Sequence, residues 1–229
     1  MPLPLKPLTG TDNLGNNSHR GLQKQWPLNS KTDNALHWDY IQKVNYAVQD
    51  FNESISDKTC LSREDIVFAI TLVDWINDAV EKVLLCYKTD TVAEFSFTQQ
   101  DKLDRMRKYF LAVRSFANAH PLETDRHGAF GLDGTYVCID MRNKSSLLEA
   151  FDFDFRKLTP NGLQRVDRLG ETDIVLYAYS KKDGGMFFHH IGLDLADVRK
   201  VAELCIDKLY ELDKYLGHLK KRDYPGRKS

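Results

Sequence analysis

The sequence predicts an α+β fold that is mainly α: an antiparallel helical bundle of about four long helices, with a small β-hairpin or sheet inserted before the last one. Two observations carry this. Apolar residues recur every three or four positions through 33–55, 62–87, 98–117 and 194–219, the period of helices that bury one face. Between the third and fourth runs that period is lost, and glycines with short aromatic or β-branched stretches replace it. Short breaks between the first three runs favour antiparallel neighbours. A chain of 229 residues fits one domain. Hydrophobic residues at 42% and aromatics at 11% supply a sizeable core.

Residues 1–32 hold Pro2, Pro4, Pro7 and Pro27 among glycines, asparagines and serines, and show neither a strand nor a helix period. They read as a flexible N-terminal arm whose end Trp26 and Leu28 can pin to the body. Asp33 or Asn34 can cap the first helix, to about Ile55, with Leu36, Tyr40, Val44, Ala47 and Phe51 inward. Ser62, followed by Arg63-Glu64-Asp65, caps the second, which carries Ile66, Ile70, Val73, Val80 and Leu84 and is expected at the centre. Residues 88–97 form a connection with room for one extended segment. Thr98 opens the third helix, with Leu103, Met106, Phe110, Val113 and Ala117 inward. Strands are expected at 135–139, 173–180 and 186–191, the last two as a hairpin about Gly184-Gly185. Asp194 caps the last helix. The single domain thus spans 33–219 with its β insertion at about 128–191, and 220–229 is a basic tail.

The formal net charge of −1 and pI near 6.7 exclude a histone-like nucleic-acid binder, so any phosphate recognition is local. The four scattered cysteines form no CxxC pair and read as buried, reduced thiols. No apolar run approaches the ~18 residues of a membrane span and no signal-peptide pattern opens the chain. The expected location is cytoplasmic, with no membrane partner.

The stretch richest in chemistry is Arg114-Ser115-Phe116-Ala117-Asn118-Ala119-His120-Pro121, followed by Thr124, Asp125 and His127. Arg107 and Arg114 lie seven apart, within about 20° of one helix face, and Asn118 follows about 40° round. Pro121 disfavours helical geometry at His120, so its ring can turn back towards Arg114. The plainer reading is a helix end: arginine suits the negative end of the dipole, and histidine before proline finishes many helices. A zinc site of His120, Asp125 and His127 has no established ligand spacing and no cysteine, so no metal is expected.

A helical bundle carrying Arg114-(SFANA)-His120 near the end of a core helix resembles the HEPN superfamily, and the following PLETDRH is similar to tails of some bacterial members. The resemblance covers about 33–127, with 194–219 as the fourth helix. Many members have Asn, Asp or His directly after the arginine, where this chain has Ser115. The resemblance implies metal-independent cleavage of RNA by a homodimer, without a cofactor, in stress response, toxin activity or phage defence, and with an antitoxin or nucleotidyltransferase-like partner. In that reading Arg114 stabilises phosphate and His120 is the general acid or base. Arg107, Asn118, Thr124 and His127 would bind or orient the substrate. The alternative is a non-catalytic helical module that binds nucleotide, RNA or a protein.

Other groups are weaker. Asp74, Asp78 and Glu81 share one helix face and read as a solvated face or, less readily, a metal site. His189 and His190 alternate across a strand. Tyr177 and Tyr179 share a strand face and can stack a base, although aromatic strand residues more often pack. No Walker, GxSxG or dinucleotide motif is present.

Overall fold

The computed structural model describes residues 20–55, 61–117, 135–136, 155–167, 173–182 and 185–220. Within them the chain is mainly helical, with a small sheet before the last helix. The helices are α1 (Lys31–Ile55), α2 (Arg63–Leu85), the single turn α3 (Thr89–Val92), α4 (Gln100–Ala117) and α5 (Leu195–His218). The strands are β1 (Thr135–Tyr136), β2 (Phe155–Thr159), β3 (Gly162–Arg165), β4 (Asp173–Lys182) and β5 (Gly185–Asp194).

Local chemistry explains the helix starts. Ser62 accepts from the Asp65 amide, and the Asp65 carboxylate accepts from the Ser62 amide, a reciprocal capping box at α2. Asp194 accepts from the Ala196 amide and starts α5 as its sequence suggests. For α1 the cap is Ser30, whose hydroxyl accepts from the Asp33 amide, so the helix starts earlier than Asp33. Of its expected inward residues Val44, Ala47 and Phe51 are buried and Tyr40 packs against the core, but Leu36 is not inward. His37, Ile41, Val44, Val48 and Phe51 face inward while Leu36 is exposed, because the core accepts the imidazole of His37 in a position the apolar count assigns to a neighbour. Thr98 lies before α4, its amide and hydroxyl both donating to Glu211 of α5. The connection 88–97, with room for one extended segment by its sequence, contains the helical turn α3 instead.

Side-chain pairs fix the helix directions. His37 meets Tyr87, so α1 and α2 run oppositely. Asp74 meets Arg114 and Asn77 meets Arg107, so α2 and α4 do too. Asn77 meets Cys205 and Glu81 meets Lys208, so α2 and α5 run in the same direction. α2 touches α1, α4 and α5 and is the central helix. One core joins all of them with Leu158, Ile191 and Leu193 of the sheet.

The sheet has five strands in the order β1-β4-β5-β2-β3. The hairpin of β4 and β5 is present and longer than its sequence pattern suggests, pairing Asp173 with Asp194 through Lys182 with Gly185. β2 and β3 were not expected. Their signal is Pro160-Asn161-Gly162: Pro160 and Asn161 form the two-residue turn between the paired Thr159 and Gly162, and Gly162 has φ +118°, a conformation side chains oppose. β2 then pairs with β5 in parallel, Phe155 opposite His190 and Leu158 opposite Leu193. Of the first expected strand, 135–136 is paired with β4, and 137–139 lie outside the described residues.

The flexible arm expected over 1–32 is corrected from Arg20 onward. The Leu22 amide donates to the buried carboxylate of Asp213 at 2.7 Å, and Leu22 itself is buried. Lys24 donates to the carbonyls of Leu216, Gly217 and Leu219 at 2.7–2.9 Å, closing the C-terminal end of α5 where cations are favoured. Leu28 bridges Tyr87, the Asn29 amide donates to the Cys86 carbonyl, and the Lys88 amide donates to that of Pro27. Gly21 permits the close approach, since a Cβ there would stand 1.9 Å from the Asp213 carbonyl oxygen. Residues 20–30 are therefore a strap across the ends of α2 and α5.

Candidate functional site

The arginine stripe of α4 lies against the acidic stripe of α2. Seven residues, or about 10 Å of helix, separate the two guanidinium positions, and the same spacing separates Asp74 from Glu81. Antiparallel packing then pairs Arg114 with Asp74 and Arg107 with Glu81. The Arg114 Nη1 donates to Asp74 Oδ1 at 3.1 Å, with about a third of the arginine side chain exposed. Arg107 donates from Nη2 to Glu81 at 2.7 Å and from Nε to Asn77 Oδ1 at 2.8 Å. Lys208 of α5 reaches the same Glu81 oxygen at 3.2 Å. Cys205 closes this inner cluster, its thiol donating to Asn77 Oδ1 at 3.7 Å. Of the acidic face of Asp74, Asp78 and Glu81, Asp78 is exposed as the solvated reading expects, while Asp74 and Glu81 answer cations on neighbouring helices. Among the described residues no group of three or more His, Cys, Asp or Glu is placed to hold a metal ion.

The two ends of this seam differ electrostatically. At Glu81, burial favours the neutral acid, yet Arg107 and then Lys208 outweigh it and hold the carboxyl below the usual range. At Asp74 burial dominates, and the carboxyl stays above its ordinary value although Arg114 opposes the shift. The inner end is a satisfied structural network. The outer end is a largely buried carboxylate holding a partly exposed guanidinium through one hydrogen bond. Burial also pushes the Cys205 thiol up to about 11, so it is not a nucleophile at neutral pH.

Of the sequence-predicted site residues, Arg107 and Arg114 are brought to the α2–α4 seam. Asn118, His120, Thr124 and His127 lie outside the described residues, as does the Asp125 of the zinc reading. The seam assigns Arg107 to Glu81, Asn77 and Cys205, which places it in the packing of three helices. Sequence reasoning did not single out Asn77, Cys205 or Lys208 as partners. The signal was the matched seven-residue spacing of opposite charges on two helices.

A second polar group is buried just beyond the C-terminal end of α2. His37 is fully buried, its Nε2 lies 2.6 Å from the Tyr87 hydroxyl, and both Trp38 and Tyr87 meet its ring edge to face. Burial lowers its pKa to about 4, so at neutral pH the ring is neutral and shares one hydrogen bond with the Tyr87 hydroxyl. Asp213, also fully buried, holds the strap through Leu22. No helix among the described residues is long and apolar enough to cross a membrane. Comparison of the chain with protein-family models, with curated proteins and with solved structures finds no match.

Proposed function

We propose that this chain is a metal-independent endoribonuclease of HEPN type, built on an antiparallel helical bundle, with Arg114 as the phosphate ligand and His120 as the general acid or base. The observation that carries the reading is the state of Arg114. It sits in the last turn of α4, about one third exposed, and Asp74 holds it from one side. A guanidinium fixed in this way presents a planar set of donors with little rotational freedom left to lose, which suits a phosphate whose charge grows in the transition state. Arg107, buried in its own network, supports the helix geometry and does not reach substrate in this reading.

The chemistry is cleavage by the neighbouring hydroxyl. His120 takes the proton of a ribose 2′-hydroxyl, the 2′-oxygen attacks phosphorus, and the P–O5′ bond breaks. The products are a 2′,3′-cyclic phosphate and a 5′-hydroxyl, the leaving oxygen taking its proton from a second acid for which His127 is the candidate. Asn118 and Thr124 orient the phosphate, and a second copy of the chain completes the cleft.

A second reading has its own observation. Both α4 arginines are already matched by α2 carboxylates, as in a module whose charges serve packing and whose surface binds a nucleotide, RNA or a protein without cleaving anything. RNA cleavage by the purified chain in EDTA, beside Arg114→Ala and His120→Ala, separates the two. Activity that survives the chelator, ends in cyclic phosphate and disappears in both variants supports the nuclease. Binding without cleavage in wild type favours the module.

A further inference from the structure

α2 packs against α1, α4 and α5, yet its remaining face is not simply polar. Phe68 and Trp75, seven residues and about 20° apart on the helix, are 42% and 54% exposed. Thr71, partly buried, lies between them, and the exposed Asp78 follows. The positions 68, 71, 75 and 78 alternate steps of three and four, the spacing of a seam between two paired helices. The two ends of this seam carry opposite charges. Glu64 and Lys82 are both exposed, and eighteen residues, or about five full turns, separate them, so they share one line along the helix. Each stands nine residues, about 13 Å, from the level of Val73.

We infer that this face joins two copies of the chain, α2 against α2 and antiparallel, about a two-fold axis at the level of Val73. Such an axis exchanges the ends of the helix and keeps its sides. Glu64 of each copy then meets Lys82 of the other at both ends of the seam. The rings fall in one row, Phe68, the partner's Trp75, Trp75 and the partner's Phe68, spanning about 15 Å. Thr71 and Asp78 line the other side, towards Asp74 and α4. An acid and a base at equal distances from the middle of an aromatic seam complement the same face turned end for end, which is what an isologous contact requires. A face bearing Glu64, Asp78 and Lys82 offers little to a polyanion or a polycation, while tryptophan is the residue that most often anchors a protein contact. A helix about 34 Å long gives a contact at the small end of stable interfaces, so the dimer constant lies in the micromolar range. The same axis puts both Arg114–Asp74 pairs on one side of the joined helices, with Asp74 one residue from the axis level. In the nuclease reading, on which this last consequence alone rests, the two guanidiniums line one cleft.

The test is sedimentation velocity of the full chain over about 1–200 µM, where a micromolar dimer dissociates and forms. A species of twice the 26.4 kDa chain mass should appear as concentration rises. Trp75→Lys should weaken association at least about thirtyfold by removing the anchor ring. Glu64→Lys and Lys82→Glu should each weaken it about tenfold by setting like charges together, and the double reversal should return to within about threefold of wild type. That recovery cannot arise from a folding defect. A wild type that stays monomeric throughout the range overturns the inference. So does a dimer indifferent to Trp75→Lys, or a double reversal no tighter than the single ones. RNA cleavage by the same samples keeps the two proposals apart: a dimer with the expected responses that never cleaves sinks the nuclease alone, and a monomer that cleaves sinks the dimer face alone.

Discussion

Acidification should destabilise this protein through one buried histidine, and the size of the effect can be worked out. His37 titrates at about 4 in the folded chain and at 6.5 when solvated. Between those values the unfolded chain binds the proton and the folded chain does not, so stability falls as the pH is lowered. The contribution is complete above about pH 6.5, is lost progressively down to about pH 4, and changes little below. From pH 7.5 to 4.5 the loss attributable to this one ring is about 2.5 kcal/mol. Carboxylates add their own acid dependence, so the assay is a difference. Urea unfolding, followed by tryptophan fluorescence at both pH values, is compared between wild type and His37→Phe. The variant leaves the Tyr87 hydroxyl without its partner and loses stability at pH 7.5, yet it should lack about 2.5 kcal/mol of the wild-type drop. Parallel losses in the two proteins would refute the reasoning, as would an imidazole resonance of His37 that titrates near 6.5.

Gly21→Ala should release the strap, because its methyl group meets the backbone of α5; a destabilisation of about 2 kcal/mol is expected, with faster amide exchange at Leu22 and Asn29 than in the helical core. Glu81→Ala leaves Arg107 and Lys208 facing each other. Because 45% of the glutamate side chain is solvent-accessible, the expected cost is only about 1–2 kcal/mol by chemical denaturation, and it should shrink in high salt. Arg114→Ala should remove cleavage at a cost of about 1–2 kcal/mol in the same assay, since the side chains of its pair are 32% and 20% exposed; a loss as large as that of Arg107→Ala would make it a packing residue. Cys205, fully buried with a thiol pKa of about 11, should resist alkylation at pH 8 in the folded protein and react promptly in denaturant.

What the sequence by itself determined here is local. Ser62 with Asp65 and Asp194 with Ala196 are interactions within one turn, so their helix starts were legible from residue type and spacing. The central place of α2 was legible for a similar reason, since its long apolar stripe needs several neighbours. The inward place of His37 in α1 was not, because a buried neutral histidine reads as polar until Tyr87, fifty residues away, supplies its hydroxyl. Residues 20–30 have the composition of a loose arm, and only the approach of α5, 191 residues along the chain from Leu22 to Asp213, turns them into a strap. β2 shows the same dependence, being fixed partly by its Pro160-Asn161 turn before Gly162 and partly by a parallel partner in β5 that no local period announces. For the candidate site, the sequence supplied the arginine stripe and the acidic stripe separately. Tertiary packing decided that they answer each other. Opposite charges at matched seven-residue spacing are complementary only once the two helices lie antiparallel and in register, and that register comes from how the whole core closes.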